Sequence, residues 1–300
     1  MVRYGKIIVW LMFAAGIVIS SANIDLSHSM NGKPGYQKGE SSILHIKPRY
    51  YRWFVDPGVE WVEKNTGYAY LNWGIPLSKA ALVMVDVWDR HYLKDTEERA
   101  EGIIQKKIMP LLTICRKRGF RIIHAPSPDL DIAYKHPAWI GASNKGDKKT
   151  KENWPPKEFR DKSGEYKQYA HPKEPREDER RELVSGLSMH PDVQVEGNEV
   201  VVATGEELHR YCEENGILFL FYLGFNTNAC IVLRDYGTIE MHKRGYDIII
   251  VRDCTTGMES FKTHDALSQT KGTILMLEMF GKYSITSEEL IKGLLNIQVE

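Results

Sequence analysis

Cys230 and Asp86 are the residues whose types and placement give this chain a route to covalent chemistry. Cys230 follows Ile217-Leu218-Phe219-Leu220-Phe221-Tyr222-Leu223, an unbroken apolar and aromatic run long enough for a strand buried on both faces. Gly224 ends that run, and Thr227 or Asn228 stands where it can cap a helix reaching to about Arg244. The cysteine then falls in the first turn of the helix, where unpaired N–H groups and the positive end of the helix dipole favour a thiolate. Asp86 closes a second buried-strand pattern, Ala80-Ala81-Leu82-Val83-Met84-Val85. In a parallel sheet it shares an edge with Cys230, at the carboxyl ends of the strands where open α/β sheets carry their sites.

These segments resemble the isochorismatase-like hydrolases, the cysteine-hydrolase superfamily that includes nicotinamidases and related amidases. The resemblance rests on Asp86, on the strand–Gly224-Phe225-x-Thr227-x-x-Cys230 segment, and on Gly245-Tyr246-Asp247-Ile248-Ile249-Ile250-Val251-Arg252-Asp253 as the next strand. It covers about residues 80–294, apart from a long insertion. It implies that Cys230 attacks a carbonyl carbon, that Asp86 takes and returns protons, and that the backbone N–H groups of Ala229 and Cys230 receive the oxyanion. Trp88, Asp89, His91, Asn226 and Asn228 are the candidates for lining a substrate pocket, with Tyr92 and Glu259 beside them. Helix-capping and turn roles are the alternative for the two asparagines, and core packing for Trp88.

One member of the family pattern is missing. A lysine is expected just after the third strand, where this chain reads Glu199-Val200-Val201-Val202-Ala203-Thr204. Without it the charge arrangement around carboxylate and thiol is weakened, and Arg90, His91, Arg234 and the insertion are the possible sources of a substitute. Arg234 and Asp235, one turn past Cys230, read first as a structural pair. Asp129-Leu130-Asp131 and His136 do not reproduce the metal motif of nicotinamidases, and His91 and His124 read as ordinary loop and strand-end residues. No metal and no cofactor are expected.

The elements that must position these residues alternate along the chain. Strands are expected at 80–86, 121–126, 198–203, 217–223, 247–251 and 282–286, with helices at about 96–118 (kinked at Pro110), 206–215, 228–244 and 264–280 and a terminal helix from Ser287. That order predicts an α/β fold, a three-layer α/β/α sandwich with a mostly parallel central sheet. Residues 128–197, rich in charge and proline, read as a surface insertion, either a lid or a solvated excursion. Residues 23–79 form an N-terminal extension whose aromatic residues call for burial against the core or a second subunit.

Composition narrows the partners. The 300 residues carry 40 basic and 40 acidic side chains, a balance that points away from nucleic acid and towards a small-molecule substrate. Arg3 and Lys6, the apolar stretch Ile7–Ile19 and Ser20-Ser21-Ala22 read as a signal peptide over residues 1–22, so the expectation is an exported protein, periplasmic or extracellular, with no membrane attachment after cleavage. The resemblance adds a homo-oligomer. Of the four cysteines, Cys230 is expected to be free, the alternative being a disulfide with Cys254. The reading is therefore a cysteine hydrolase of a small amide or related C–N bond. Its rival is a catalytically degenerate binding or structural protein on the same scaffold, motivated by the absent lysine.

Overall fold

The computed structural model describes residues 42–143 and 155–297. The signal-peptide segment and the lysine-rich stretch at 145–152 lie outside the described residues. In chain order the elements are β1 (Ile43–Ile46), β2 (Arg49–Arg52), β3 (Gly67–Tyr70), β4 (Trp73–Pro76), β5 (Ala80–Val85), α1 (Lys94–Ile103), α2 (Met109–Lys117), β6 (Arg121–Ala125), α3 (Ile132–Lys135), α4 (Lys157–Arg160), α5 (Glu177–Ser185) and β7 (Val200–Val201). There follow α6 (Gly205–Asn215), β8 (Phe219–Phe225), α7 (Cys230–Leu233), α8 (Thr238–Lys243), β9 (Asp247–Thr256), α9 (Ser268–Met279), β10 (Tyr283–Ile285) and α10 (Ser287–Leu295).

The main sheet has the order β3-β2-β10-β9-β8-β5-β6-β7. Its strands from β10 to β7 run parallel, and β2 and β3 extend it antiparallel at one end. The N-terminal extension thus supplies two strands of the sheet itself, and β1 pairs with β4 in a separate antiparallel pair. Alternate residues of β5 explain why both faces need cover. Leu82 and Met84 enter the apolar cluster shared with α1, α2 and α10, whereas Ala81, Val83 and Val85 enter the one shared with α6, α8 and α9. The α/β/α expectation is realised, with helices on both sides of a mostly parallel sheet.

Several boundaries differ from those expected. The helix after β5 starts at Lys94 and continues through a π-helical turn at Ile104–Ile108 into α2. This widened turn lies directly ahead of Pro110 and absorbs the hydrogen bond that the proline cannot make, in place of a simple kink. The single helix expected over 228–244 is instead α7 and α8, separated by residues 234–237. Gly224 does not end its strand, because β8 continues to Phe225, and β9 runs on to Thr256, placing Asp253 and Cys254 inside it. The helix expected at 264–280 begins at Ser268.

One ion cluster braces the edge beside the site. Glu199, just ahead of β7, accepts from His124 on β6 at 2.7 Å and from Arg116 on α2 at 2.6 Å. Burial by itself would raise the acid, but the hydrogen bonds from His124 and Arg116 outweigh it and hold the pKa at about 2. A carboxylate depressed in the folded state contributes stability that is complete above its unfolded pKa and is lost as pH falls towards the folded value. The thermal midpoint should therefore drop between about pH 4.5 and pH 2, and Glu199→Gln should flatten that drop. Calorimetry across this window checks it, and parallel curves for the two proteins would refute the assignment.

Candidate active site

Asp86 and Cys230 meet because β5 and β8 are neighbours and both end at the same sheet edge. Val85 stands opposite Gly224 in the register. Gly224 has a φ of +115°, and a Cβ built there would lie 1.8 Å from the Val85 carbonyl oxygen. Only glycine permits that approach, which brings the chain leaving β8 against the chain leaving β5. Asp86 itself adopts a left-handed conformation, φ 45°, and its N–H donates to Ala125 O at 3.2 Å. Aspartate tolerates this region better than most residues, yet a non-glycine there costs on the order of 1 kcal/mol and turns the carboxyl into the site.

The loop before Cys230 is pinned to the end of β9. The N–H of Thr227 donates to Thr256 O at 3.1 Å, and its hydroxyl meets that of Thr255 at 2.6 Å. Asn228 clasps Met258 through both sides of its amide, accepting from the Met258 N–H at 3.0 Å and donating to the Met258 carbonyl at 2.8 Å. The Phe225–Asn226 peptide is cis.

Together these segments line a cavity of about 380 Å³ that contains Asp86, Cys230, Trp88, His91, Tyr92 and Asn226. Its far wall comes from the insertion. Residues 188–190 pair with the chain after β5, through Asp89 N–H to Ser188 O at 3.0 Å and His190 N–H to Val87 O at 2.9 Å. This strap and α5 bring Leu183, Val184, Leu187 and Met189 to the cavity, so this part of the insertion walls the site instead of hanging in solvent. Arg180 of α5 lies over the ring of Tyr92, 4.7 Å from its centroid. His91 stacks on Tyr92 at 4.4 Å, and burial pushes its pKa down.

Asp86 and Cys230 stand close enough to shift one another's ionisation. Burial raises Asp86 to about 6, against the opposing influence of the Cys230 thiol and Arg234. Burial and the Asp86 charge push Cys230 up to about 12, with Arg234 pulling the other way. The expectation of a thiolate stabilised by a helix terminus is therefore corrected. The helix is only four residues long, too short for a macrodipole of consequence, and burial dominates. The resting pair is a thiol beside a carboxyl group that titrates close to neutrality.

Other expected residues have different duties. Asp89 does not line the cavity; it accepts from Arg90 at 2.7 Å and from the Ser188 N–H at 3.0 Å. Asn228 is likewise structural, through its grip on Met258. Of the two expected oxyanion donors, the N–H of Ala229 is engaged by Asn226 O at 3.1 Å, while that of Cys230 has no backbone or side-chain acceptor among the described residues. Glu259 caps the start of α9, accepting from the N–H groups of Gln269 and Thr270, both at 2.9 Å. His124 belongs to the Glu199 cluster. All four cysteines are free, Cys254 buried in the core cluster opposite that of Cys230.

The structural pair expected of Arg234 and Asp235 does not form. The Arg234 guanidinium pairs with Asp129 and donates to the Ser127 hydroxyl at 3.0 Å, whereas Asp235 accepts from the Gly205 N–H at 2.9 Å. Ser127 and Asp129 follow β6 at the same sheet edge as Asp86, which was the signal available for finding them. Nothing local in the sequence marks Arg180 or the strap, whose placement is set by long-range pairing.

The isochorismatase-domain profile matches residues 80–279, and the chain belongs to the isochorismatase family of hydrolases. Among solved structures, a cysteine hydrolase from Pseudomonas syringae pv. phaseolicola 1448A is 14% identical, covering 75% of this chain and 97% of its own, with a TM-score of 0.47. An isochorismatase from Pseudomonas putida KT2440 is 18% identical over 71% of this chain and 90% of its own, with a TM-score of 0.42. An isochorismatase family protein from Desulfovibrio vulgaris subsp. vulgaris str. Hildenborough is 16% identical over 73% and 99%, with a TM-score of 0.45. No curated protein matches the chain in sequence.

Proposed function

We propose that the protein hydrolyses a small amide or related non-peptide C–N bond through a covalent intermediate on Cys230. The observation that carries this reading is the juxtaposition of Cys230 with Asp86 in one largely apolar cavity, Asp86 being raised to about 6. A carboxyl group with that pKa can act as both proton acceptor and proton donor near neutral pH. In the reaction, Asp86 takes the proton of the Cys230 thiol as sulfur bonds to the carbonyl carbon. The oxyanion forms beside the Cys230 N–H. The C–N bond breaks as Asp86 returns its proton to the departing nitrogen, leaving a thioester. Water, giving a proton to Asp86, then adds to the thioester carbon; the C–S bond breaks and Cys230 recovers the proton as a thiol.

Asn226 fits an amide in particular. It lines the cavity, only 7% exposed, and its Oδ1 is buried with no partner among the described residues. An unpaired buried acceptor is costly, and the N–H₂ of a bound primary amide would satisfy it. The rival reading, a degenerate scaffold, draws on the buried Ala203 at the lysine position.

The test is to incubate the protein with a panel of small primary amides, following ammonia release and the intact mass after acid quenching. The expected result is turnover of at least one amide, with an acyl adduct mapped to Cys230 and both signals lost in Cys230→Ala. Ammonia release persisting at the full rate in Cys230→Ala would end the covalent mechanism, and no turnover across the panel would favour the binding protein.

A further inference from the structure

Resting on the reaction proposed above, we infer that Arg234 is the resident cation of the active site, supplying from just past α7 the positive charge that Ala203 cannot supply from the end of the third parallel strand. A thiol and a carboxyl buried together must hold one negative charge between them while the proton moves, and hold it again on the oxyanion. In a cavity of low polarity that charge needs a fixed counter-charge nearby.

The cavity offers few candidates. Among the described residues its lining includes no lysine, and its basic side chains are His91, Arg180 and Arg234. His91 is buried, stacked on Tyr92, and depressed in pKa. Arg180 is exposed and lies over Tyr92 on the insertion side. Arg90, the remaining candidate from sequence, is tied to Asp89 and does not reach the lining. Arg234 is different. It follows Cys230 by one helical turn, its N–H donating to Cys230 O at 3.4 Å. Its guanidinium is held at the far end by Asp129 and by Ser127 at 3.0 Å, so the side chain spans from the C-terminal end of α7 to the loop after β6 along the same cavity. Its Nε is buried and without a partner among the described residues.

Anchoring at both ends makes this charge preorganised, so little reorganisation is spent when the thiol ionises. Arginine keeps its proton throughout, and only Asp86 exchanges protons with Cys230 and the substrate. Arg234 favours the ionised form of both Asp86 and Cys230, opposing their burial. The other charged or titratable groups facing the pair are Asp129 from the loop after β6, whose charge raises Asp86 and offsets part of what Arg234 does there, Tyr236 beyond α7, and His91, Tyr92 and Arg180 across the cavity. Burial and the Asp86 charge push Tyr236 upward, so it stays neutral.

The test is the iodoacetamide labelling rate of Cys230 in the intact protein, read by peptide mass spectrometry from about pH 7 to about pH 10.5, where the rate climbs with the thiolate fraction below the raised thiol pKa of about 12. Cys115, Cys212 and Cys254 are buried, so native labelling reports Cys230. Arg234→Met and Arg234→Gln should each slow labelling about tenfold at a given pH, displacing the profile upward by about one unit. Arg234→Lys should recover most of the rate, which a purely structural role would not require. If Arg234→Met does not fold, Arg234→Gln carries the same expectation while retaining a partner for Ser127. Neutral variants that fold, by near-ultraviolet circular dichroism, and label with the wild-type profile would overturn the role of Arg234 alone. A wild-type Cys230 inert at every pH would instead bring down the nucleophile reading on which it rests.

Discussion

Asp86→Asn should lower turnover about a thousandfold while leaving the protein folded and more stable at neutral pH. Asparagine keeps the shape and tolerates the left-handed backbone at this position, φ 45°, but in the proposed reaction it could neither accept the Cys230 proton nor deliver one to the leaving nitrogen. The stability change has the opposite sign for an electrostatic reason. Burial raises the folded pKa of Asp86 from 3.8 to about 6, so the folded state binds this proton more tightly than the unfolded chain. Stability conferred by the neutral form is complete below the unfolded pKa and is lost as pH rises through about 6. At pH 7 the ionised carboxylate therefore costs up to about 3 kcal/mol, which the amide avoids. The wild-type kcat/KM should also fall below about pH 6, where Asp86 is already protonated and cannot receive the thiol proton. Denaturant melts and rate profiles of both proteins check these signs together. An Asp86→Asn protein of undiminished rate would remove Asp86 from the proposed chemistry.

Gly224→Ala should be the most damaging glycine-to-alanine change among the described residues. The new Cβ would lie 1.8 Å from the Val85 carbonyl oxygen, and the φ of +115° disfavours any L side chain. Backbone strain and overpacking together suggest a loss of about 4 kcal/mol, or about a 10 °C fall in Tm for a domain of this size. What survives should also be inactive, because relieving the clash must separate β8 from β5 and with them Cys230 from Asp86. A thermal melt coupled to Cys230 labelling distinguishes the outcomes. A substituted protein with wild-type Tm would show that the close strand approach is dispensable.

Much of the fold was legible because its strands are encoded locally. The runs 80–85 and 217–223 are apolar on both faces, and a strand of that kind has few places to go except the middle of a parallel sheet covered by helices. The spacing that places Asp86 and Cys230 just past those runs determined that both would reach one edge. Boundaries were less legible wherever a hydrogen bond from a distant element decided them. β8 continues past Gly224 because Gly224 and Phe225 pair with Thr255 and Thr256 after a register shift, and that shift depends on β9. The helix after Cys230 stops at Leu233 although its residues are compatible with continuing.

By itself, then, the sequence determined the parallel part of the sheet, the edge at which chemistry could occur, the nucleophile candidate and its carboxyl neighbour, because strand burial and the residues ending each strand are properties of short segments. Only the tertiary structure decided the electrostatics. The sequence placed a helix dipole behind Cys230, whereas the fold leaves a buried thiol beside Asp86 and Arg234. It also decided which side chains wall the cavity. Asp89 and Asn228 are consumed by backbone partners in other elements, and α5 arrives from far along the chain to close the far side. Charge and burial act through space, and neither the desolvation of Cys230 nor the reach of Arg234 to Asp129 exists until the chain has folded.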